Sequence, residues 1–170
     1  MMILQSAKTA LFTTLFGFTL FAIYALADKI MEKKNIQQQI QSLPVDKIRS
    51  LDSTLFVFPR AESMLIIYFN STCEHCQYEL KEIREHAALF DGTHLLLVSS
   101  ENMADIRTFS LQSGLTDREN VSFAKINPDD VYDTFGSVSI PHIFIYNNAG
   151  SLVKEFKGET KVEAIAKSLP

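Results

Sequence analysis

Two side chains in this sequence could carry redox chemistry, and they sit three apart: Cys73 and Cys76, the only cysteines, within YFNSTCEHCQYEL. At that spacing a thiol pair can cycle with a disulfide, offer two soft ligands to a metal, or pack as two small buried side chains. They do not staple a fold, because two cysteines three apart close too small a loop to stabilise it by chain entropy. The elements around them have to decide between the three readings.

SMLIIYFN, residues 63 to 70, is a continuous apolar run with β-branched and aromatic members, which predicts a central strand buried on both faces. From Cys76 to Phe90, Leu80, Ile83, Ala87 and Phe90 recur among Glu79, Lys81, Glu82, Arg84 and Glu85, which predicts an amphipathic helix. Ser71 and Thr72 are its expected caps. That places Cys73 in the first turn, its sulfur exposed at the carboxyl end of the strand. At such a terminus the macrodipole and free N–H groups favour the thiolate, which is the reactive form. Cys76 lies on the same face but deeper, so a disulfide can form and break with little backbone movement. Cys73 would attack a substrate disulfide and Cys76 would resolve the mixed disulfide. Cys76 must then lose a proton. Glu79, three residues on and on the same face, is the best-placed carboxylate to take it, although the spacing alone fits an ordinary solvated glutamate equally well.

The rest of the chain alternates strand and helix signals. HLLLVSS (94 to 100) reads as a second buried strand, and Ile106, Phe109 and Leu111 mark a helix stopped near Gly114. VSFAKI from Val121 is a strand, and PDDVYDTF is a short helix opened by Pro128 and stopped by Gly136. PHIFIY and SLVKEFKG flank the turn signal at residues 147 to 150, and a terminal helix is expected from Glu159 to Leu169. This order predicts an α/β fold: a mixed central sheet with a parallel core, a C-terminal antiparallel hairpin at one edge, and helices on both faces.

CEHC after an apolar strand, with SVSIPHIFIY some way downstream, resembles the thioredoxin-like fold over about Thr54 to Leu169. The stretch from Phe123 to Gly158 is most similar to the membrane-anchored TlpA and ResA-type thiol-disulfide oxidoreductases. The resemblance implies a cis proline at Pro141 facing the two cysteines, a substrate chain paired with the backbone of Ile140, and a functional role for Glu79. It also implies protein disulfides as substrates, apocytochrome c or misoxidised exported proteins among them, an envelope or membrane dithiol as electron donor, and no cofactor. Cytosolic thioredoxins carry Trp before the first cysteine and a buried Asp in the preceding strand. This chain has Thr72 and Ile67 there, which places the burden of proton transfer on Glu79.

The residues between the cysteines bear on the direction of electron flow. The Glu74 carboxylate disfavours a neighbouring thiolate, and His75 favours it only when protonated. The expected couple is therefore reducing or mildly reducing. A copper or zinc carrier using Cys73, Cys76 and His75 or His142 is the main rival, but a tetrahedral site lacks its fourth ligand and the chain has only four histidines. The expectation is no metal. A binding module with a dispensable disulfide is the second rival. A peroxidase lacks an arginine near Cys73. His86 and His94 read as surface or packing residues, and His142 as structural or site-facing.

TALFTTLFGFTLFAIYALA, Thr9 to Ala27, carries no charge between Lys8 and Asp28 and approaches the length that spans a bilayer. The same run also fits an export signal cleaved after Ala27, since Ala25 and Ala27 give an A-x-A pattern. The expectation is an anchor or signal over residues 1–28, a solvated helical connector over 29–45 ending at Pro44, and a thioredoxin-like domain over 46–170. That domain would lie outside the cytoplasm, on the periplasmic side of the cell envelope. The composition, 46% hydrophobic and 21% charged over 170 residues, suits one globular core. The net charge of −4 arises from interspersed signs with no basic stripe, so nucleic acid is not an expected partner.

Overall fold

The computed structural model describes residues 2–44, 46–59 and 62–170, with side chains described from residue 15 onward. The chain divides into two compact units, meeting between Gln37 and Gln38. The first is formed by α1, a helix over Met2–Gln39 whose last two residues belong to the second unit. It is polar only towards its end, and Leu15, Phe16, Phe18, Phe21, Ile23, Tyr24 and Leu26 are each more than 60% exposed. The run beginning at Thr9 starts among residues whose side chains lie outside those described. Among the described residues no helix is long and apolar enough to cross a membrane.

The second unit is built on a six-stranded sheet in the order β1-β4-β3-β2-β5-β6. In chain order it contains β1 (Ile48–Ser50), β2 (Ser63–Tyr68), α2 (Glu74–Glu85), β3 (Thr93–Ser99), α3 (Met103–Ser113), β4 (Val121–Ile126), α4 (Val131–Phe135), β5 (His142–Tyr146), β6 (Leu152–Lys157) and α5 (Val162–Ala166). β2, β3 and β4 run parallel, as the two strand–helix crossovers require. β5 and β6 form the antiparallel hairpin, with β5 against β2. The expected mixed sheet is therefore present. β1 adds an antiparallel edge strand against β4 that the sequence did not signal, because three residues, Ile-Arg-Ser, are too few to show a period.

The central strands read as unbroken apolar runs because both their faces are covered. One face packs Leu65, Ile67, Leu95, Leu97, Ile143 and Ile145 under α2, α3 and α5. The other packs Ile66, Leu96, Val98, Phe144 and Tyr146 under α4.

Several element ends differ from expectation. α2 stops at Glu85, and Ala87–Phe90 continue as a 3-10 turn that buries Phe90. Leu111, expected on the buried side of α3, is 75% exposed, and Ile106, Phe109 and Ser110 face the core instead. Asn102 caps α3 by accepting from the Asp105 N–H, and Gly114 ends it in the left-handed region at φ 68°. The terminal helix is shorter than expected, because Glu159 and Thr160 are engaged in contacts of their own before α5 begins.

The connector is not a solvated spacer throughout. α1 ends at Gln39, and Ile40 is 1% exposed, with its carbonyl accepting from the Tyr146 hydroxyl at 3.1 Å. The Leu152 N–H donates to Gln41, Leu43 donates to Gly150, and Ser42 bridges Ser151. Residues 40 to 43 thus lie along the start of the β6 edge.

Candidate active site

The segment from Asn70 to Glu79 carries the parallel core out of β2 and into α2. Cys73 is not in the first turn of this helix but is itself the N-cap, with extended backbone at φ −78° and ψ 115°. Its Sγ accepts from the Cys76 N–H at 3.4 Å, the position a capping oxygen ordinarily occupies. An N–H aimed at sulfur from a helix terminus supports negative charge on that sulfur.

Ser71 and Thr72 do not cap, contrary to the expectation, because each is engaged elsewhere, Ser71 with a charged partner. Thr72 donates through its N–H and hydroxyl to the Asn70 side-chain oxygen at 2.9 and 2.7 Å. Ser71 donates through its N–H and hydroxyl to the Glu101 carboxylate at 2.7 and 2.6 Å, and Ser99 donates to the same carboxylate at 2.9 Å. Charge-assisted bonds of this length outweigh a neutral hydroxyl cap. The Gln77 amide closes the loop by donating to the Ser71 carbonyl at 2.8 Å. A turn fixed at this many points holds Cys73 in place. Glu101 and Asn70 were not singled out from the sequence. Asn70 two residues before Thr72 has the spacing of a local side-chain turn, whereas Glu101 has no local signal, being thirty residues away from Ser71 in sequence.

The two thiols differ in access. Both are free, Cys73 half-buried and Cys76 fully buried. Burial pushes the Cys76 thiol up to about 12, with the neighbouring Cys73 and Glu79 adding to the same direction. Cys76 is therefore a thiol until something takes its proton.

Glu79 is 1% exposed, which removes the solvated-glutamate reading. Leu80 and Ile83 anchor α2 in the core, and their spacing turns Glu79 inwards with Cys76. Its Oε2 accepts from the Thr160 N–H at 2.7 Å, and its Oε1 has no partner. Burial pushes its carboxyl up to about 7; the Thr160 bond opposes this, and the charges of Glu159 and Glu82 reinforce it. A carboxyl balanced near neutrality beside a buried thiol can exchange a proton with it.

Of the two residues between the cysteines, Glu74 is exposed in the first turn of α2. His75 is also exposed, and its Nδ1 lies 2.6 Å from Glu159 Oε2. The Ile140–Pro141 peptide is cis. Pro141 is buried, and Ile140 packs against the cluster that contains Cys76 and borders Cys73. The structure thus gathers Cys73, Cys76 and Glu79 on one side of the sheet, while Ile140 packs against the clusters on both sides. His142 is on the other side: fully buried, it stacks near Phe144 and bonds Glu155 through Nε2 at 2.7 Å. His94 is a packing residue, bonded to Ser122, and His86 is exposed. Among the described residues no three His, Cys, Asp or Glu side chains gather as a metal site.

No protein-family model matches the chain, and no curated protein matches it in sequence. Solved structures do. An uncharacterized thioredoxin-like protein from Porphyromonas gingivalis is 23% identical, with a TM-score of 0.59 over 74% of this chain and 88% of its own. StoA from Bacillus subtilis is 16% identical, with a TM-score of 0.58 over 75% of this chain and 98% of its own. The thioredoxin domain of a thiol-disulfide oxidoreductase from Bacteroides vulgatus is 16% identical, with a TM-score of 0.60 over 77% of this chain and 97% of its own. With its cis proline, its strand order and a cysteine at the head of α2, the domain has the thioredoxin-like fold.

Proposed function

We propose that the protein is a thiol-disulfide oxidoreductase that reduces disulfides in exported proteins. The observation that carries this reading is the asymmetry of the thiol pair: a half-buried Cys73 at the helix cap, and a fully buried Cys76 with a buried carboxyl one turn further along the helix. The name of the structural relative from Bacteroides vulgatus, a thiol-disulfide oxidoreductase, points in the same direction.

The Cys73 thiolate attacks one sulfur of a substrate disulfide, forming a mixed disulfide and releasing the other sulfur as a thiolate that takes up a proton. Cys76 gives its proton to the Glu79 carboxylate and attacks Cys73 Sγ. A Cys73–Cys76 disulfide forms, the bond to substrate breaks, and the second substrate thiol leaves with the proton. Two electrons pass to the substrate, and a dithiol of the membrane or envelope returns them to the pair. The backbone of Ile140, next to Pro141, aligns the substrate chain.

The domain works outside the cytoplasm, held by α1. Support for this is the uncharged run from Thr9 to Ala27 and the apolar side chains that α1 leaves exposed within its own unit. The copper-carrier reading is disfavoured by the histidines: His75 is engaged with Glu159, and His142 faces the opposite core.

Replacing Cys76 with Ser tests the reading. Multiple-turnover reduction of insulin disulfides should be lost while Cys73 still captures substrate covalently, and the adducts formed in cells would name the substrates. A Cys76→Ser protein that captures nothing through Cys73, or turns over like wild type, rejects the function.

A further inference from the structure

One three-residue turn touches three separate parts of the site. It begins where β6 ends, at Gly158, whose φ of 86° lies in the region that favours glycine. The Gly158 N–H donates to the Pro141 carbonyl at 2.8 Å, which ties the turn to the loop of the cis proline. Glu159 reaches across to His75, between the two cysteines, at 2.6 Å. The Thr160 N–H donates to Glu79 Oε2 at 2.7 Å, and the Thr160 hydroxyl folds back onto the Gly158 carbonyl at 3.0 Å. The Glu79 carboxyl has no other hydrogen-bond partner.

We propose that Gly158–Glu159–Thr160 is a clasp that positions Glu79 against Cys76, with Glu159 as the positioning residue and its bond to His75 as the latch. The inference rests on the dithiol reading of the site. His75 then has a task distinct from tuning its neighbouring sulfur: it holds down the turn that orients the proton acceptor. The latch joins two exposed side chains, so it is weak and easily released. The contact it guards is buried. When the turn lifts, Glu79 loses its single donor and its charged form loses support. The tie to Pro141 makes the same turn responsive to a chain arriving at Ile140. The ionisable groups that surround the clasp are His75, Cys76, Tyr78 and Glu82 on α2, Glu159 on the turn, Lys161 at the cap of α5, and Glu163 on α5.

The test uses the reduced full chain without substrate, reading amide hydrogen exchange at Thr160 and the carbon-13 NMR titration of the Glu79 carboxyl. His75→Ala removes the latch and keeps the Glu159 charge. Thr160 exchange should quicken about fivefold, and the Glu79 inflection should rise from about 7. Glu159→Ala should expose the same amide. Glu159→Gln keeps an acceptor for the ring and removes a charge, so it should leave Thr160 protected and lower the Glu79 inflection. Opposite movements in His75→Ala and Glu159→Gln establish the clasp. Unchanged exchange, or an unmoved Glu79 inflection, in His75→Ala overturns it. Neither readout needs turnover, so a protein with this behaviour that reduces no disulfide would keep the clasp and lose the function.

Discussion

Two of the buried ionisable side chains, Glu79 on α2 and His142 on β5, lie on opposite sides of the sheet, and the two are treated very differently. His142 has a carboxylate partner on the neighbouring strand at Nε2, while its Nδ1, like Glu79 Oε1, has none. Glu155 accepts from Nε2, and Lys157 supports Glu155 at 3.2 Å. Burial nonetheless holds the ring below the ordinary histidine range, outweighing the pull of Glu155. Glu79 has a single backbone donor, an unpaired oxygen and a thiol for a neighbour. A buried ring held by a carboxylate is fixed in place. A buried acid with no charged partner, held by one backbone N–H, keeps a proton in play, and stability is lost to keep it there.

The largest expected contrast is in turnover. Glu79→Gln keeps the Thr160 bond and removes the base, so disulfide reduction at pH 8 should fall about 10³-fold, while His142→Gln stays near wild type. A fall of equal size in both variants would dissolve the distinction. Next comes the dependence of stability on pH. The Glu79 carboxyl is raised in the folded state from 4.5 to about 7, so the folded protein holds a proton there that the unfolded chain has released. Its contribution is fully present below pH 4.5 and is lost as pH rises through 7, by up to about 3 kcal/mol. Urea unfolding of Glu79→Gln should lack this slope, and a parallel curve would place the acid in water. Third, His142→Ala should cost about 2 kcal/mol at pH 7.5, from the cavity and from Glu155 left with only Lys157. The smallest effect has the opposite sign to that of Glu79. With its folded value lowered, His142 contributes stability above pH 6.5 that is lost as pH falls towards the folded value, and Glu79→Gln should expose this acid limb.

Much of this contrast was legible in the residues. The apolar run before Cys73 named the central strand, the spacing of Leu80 and Ile83 named the face of α2, and Gly114 and Gly136 ended their helices as expected. What was hidden depends on partners distant in sequence. No local pattern tells Ser71 to prefer Glu101 over the helix it precedes, and that preference hands the cap to Cys73 itself. The burial of Glu79 was undecided for the same reason. A helical position three residues from Cys76 is inward or lateral according to what packs on it, and here α5 and the turn before it do. Ile40 looked like a thinly spaced residue in a polar helix because its partner, Tyr146, is 106 residues away.

That contact has a consequence for where the domain can safely be cut. β6 is an edge strand of the sheet, and its first residue, Leu152, and the two before it, Gly150 and Ser151, pair with Gln41, Leu43 and Ser42. Lys154 and Lys157 guard the remainder with charge. A protease acting before residue 38 would release a domain in which the start of this edge is still covered. A cut at residue 46 would strip the seal and leave a sticky margin, open to pairing with another copy. The short stretch after α1 is thus the selvedge of the sheet, and it sets the shortest fragment expected to stay monomeric.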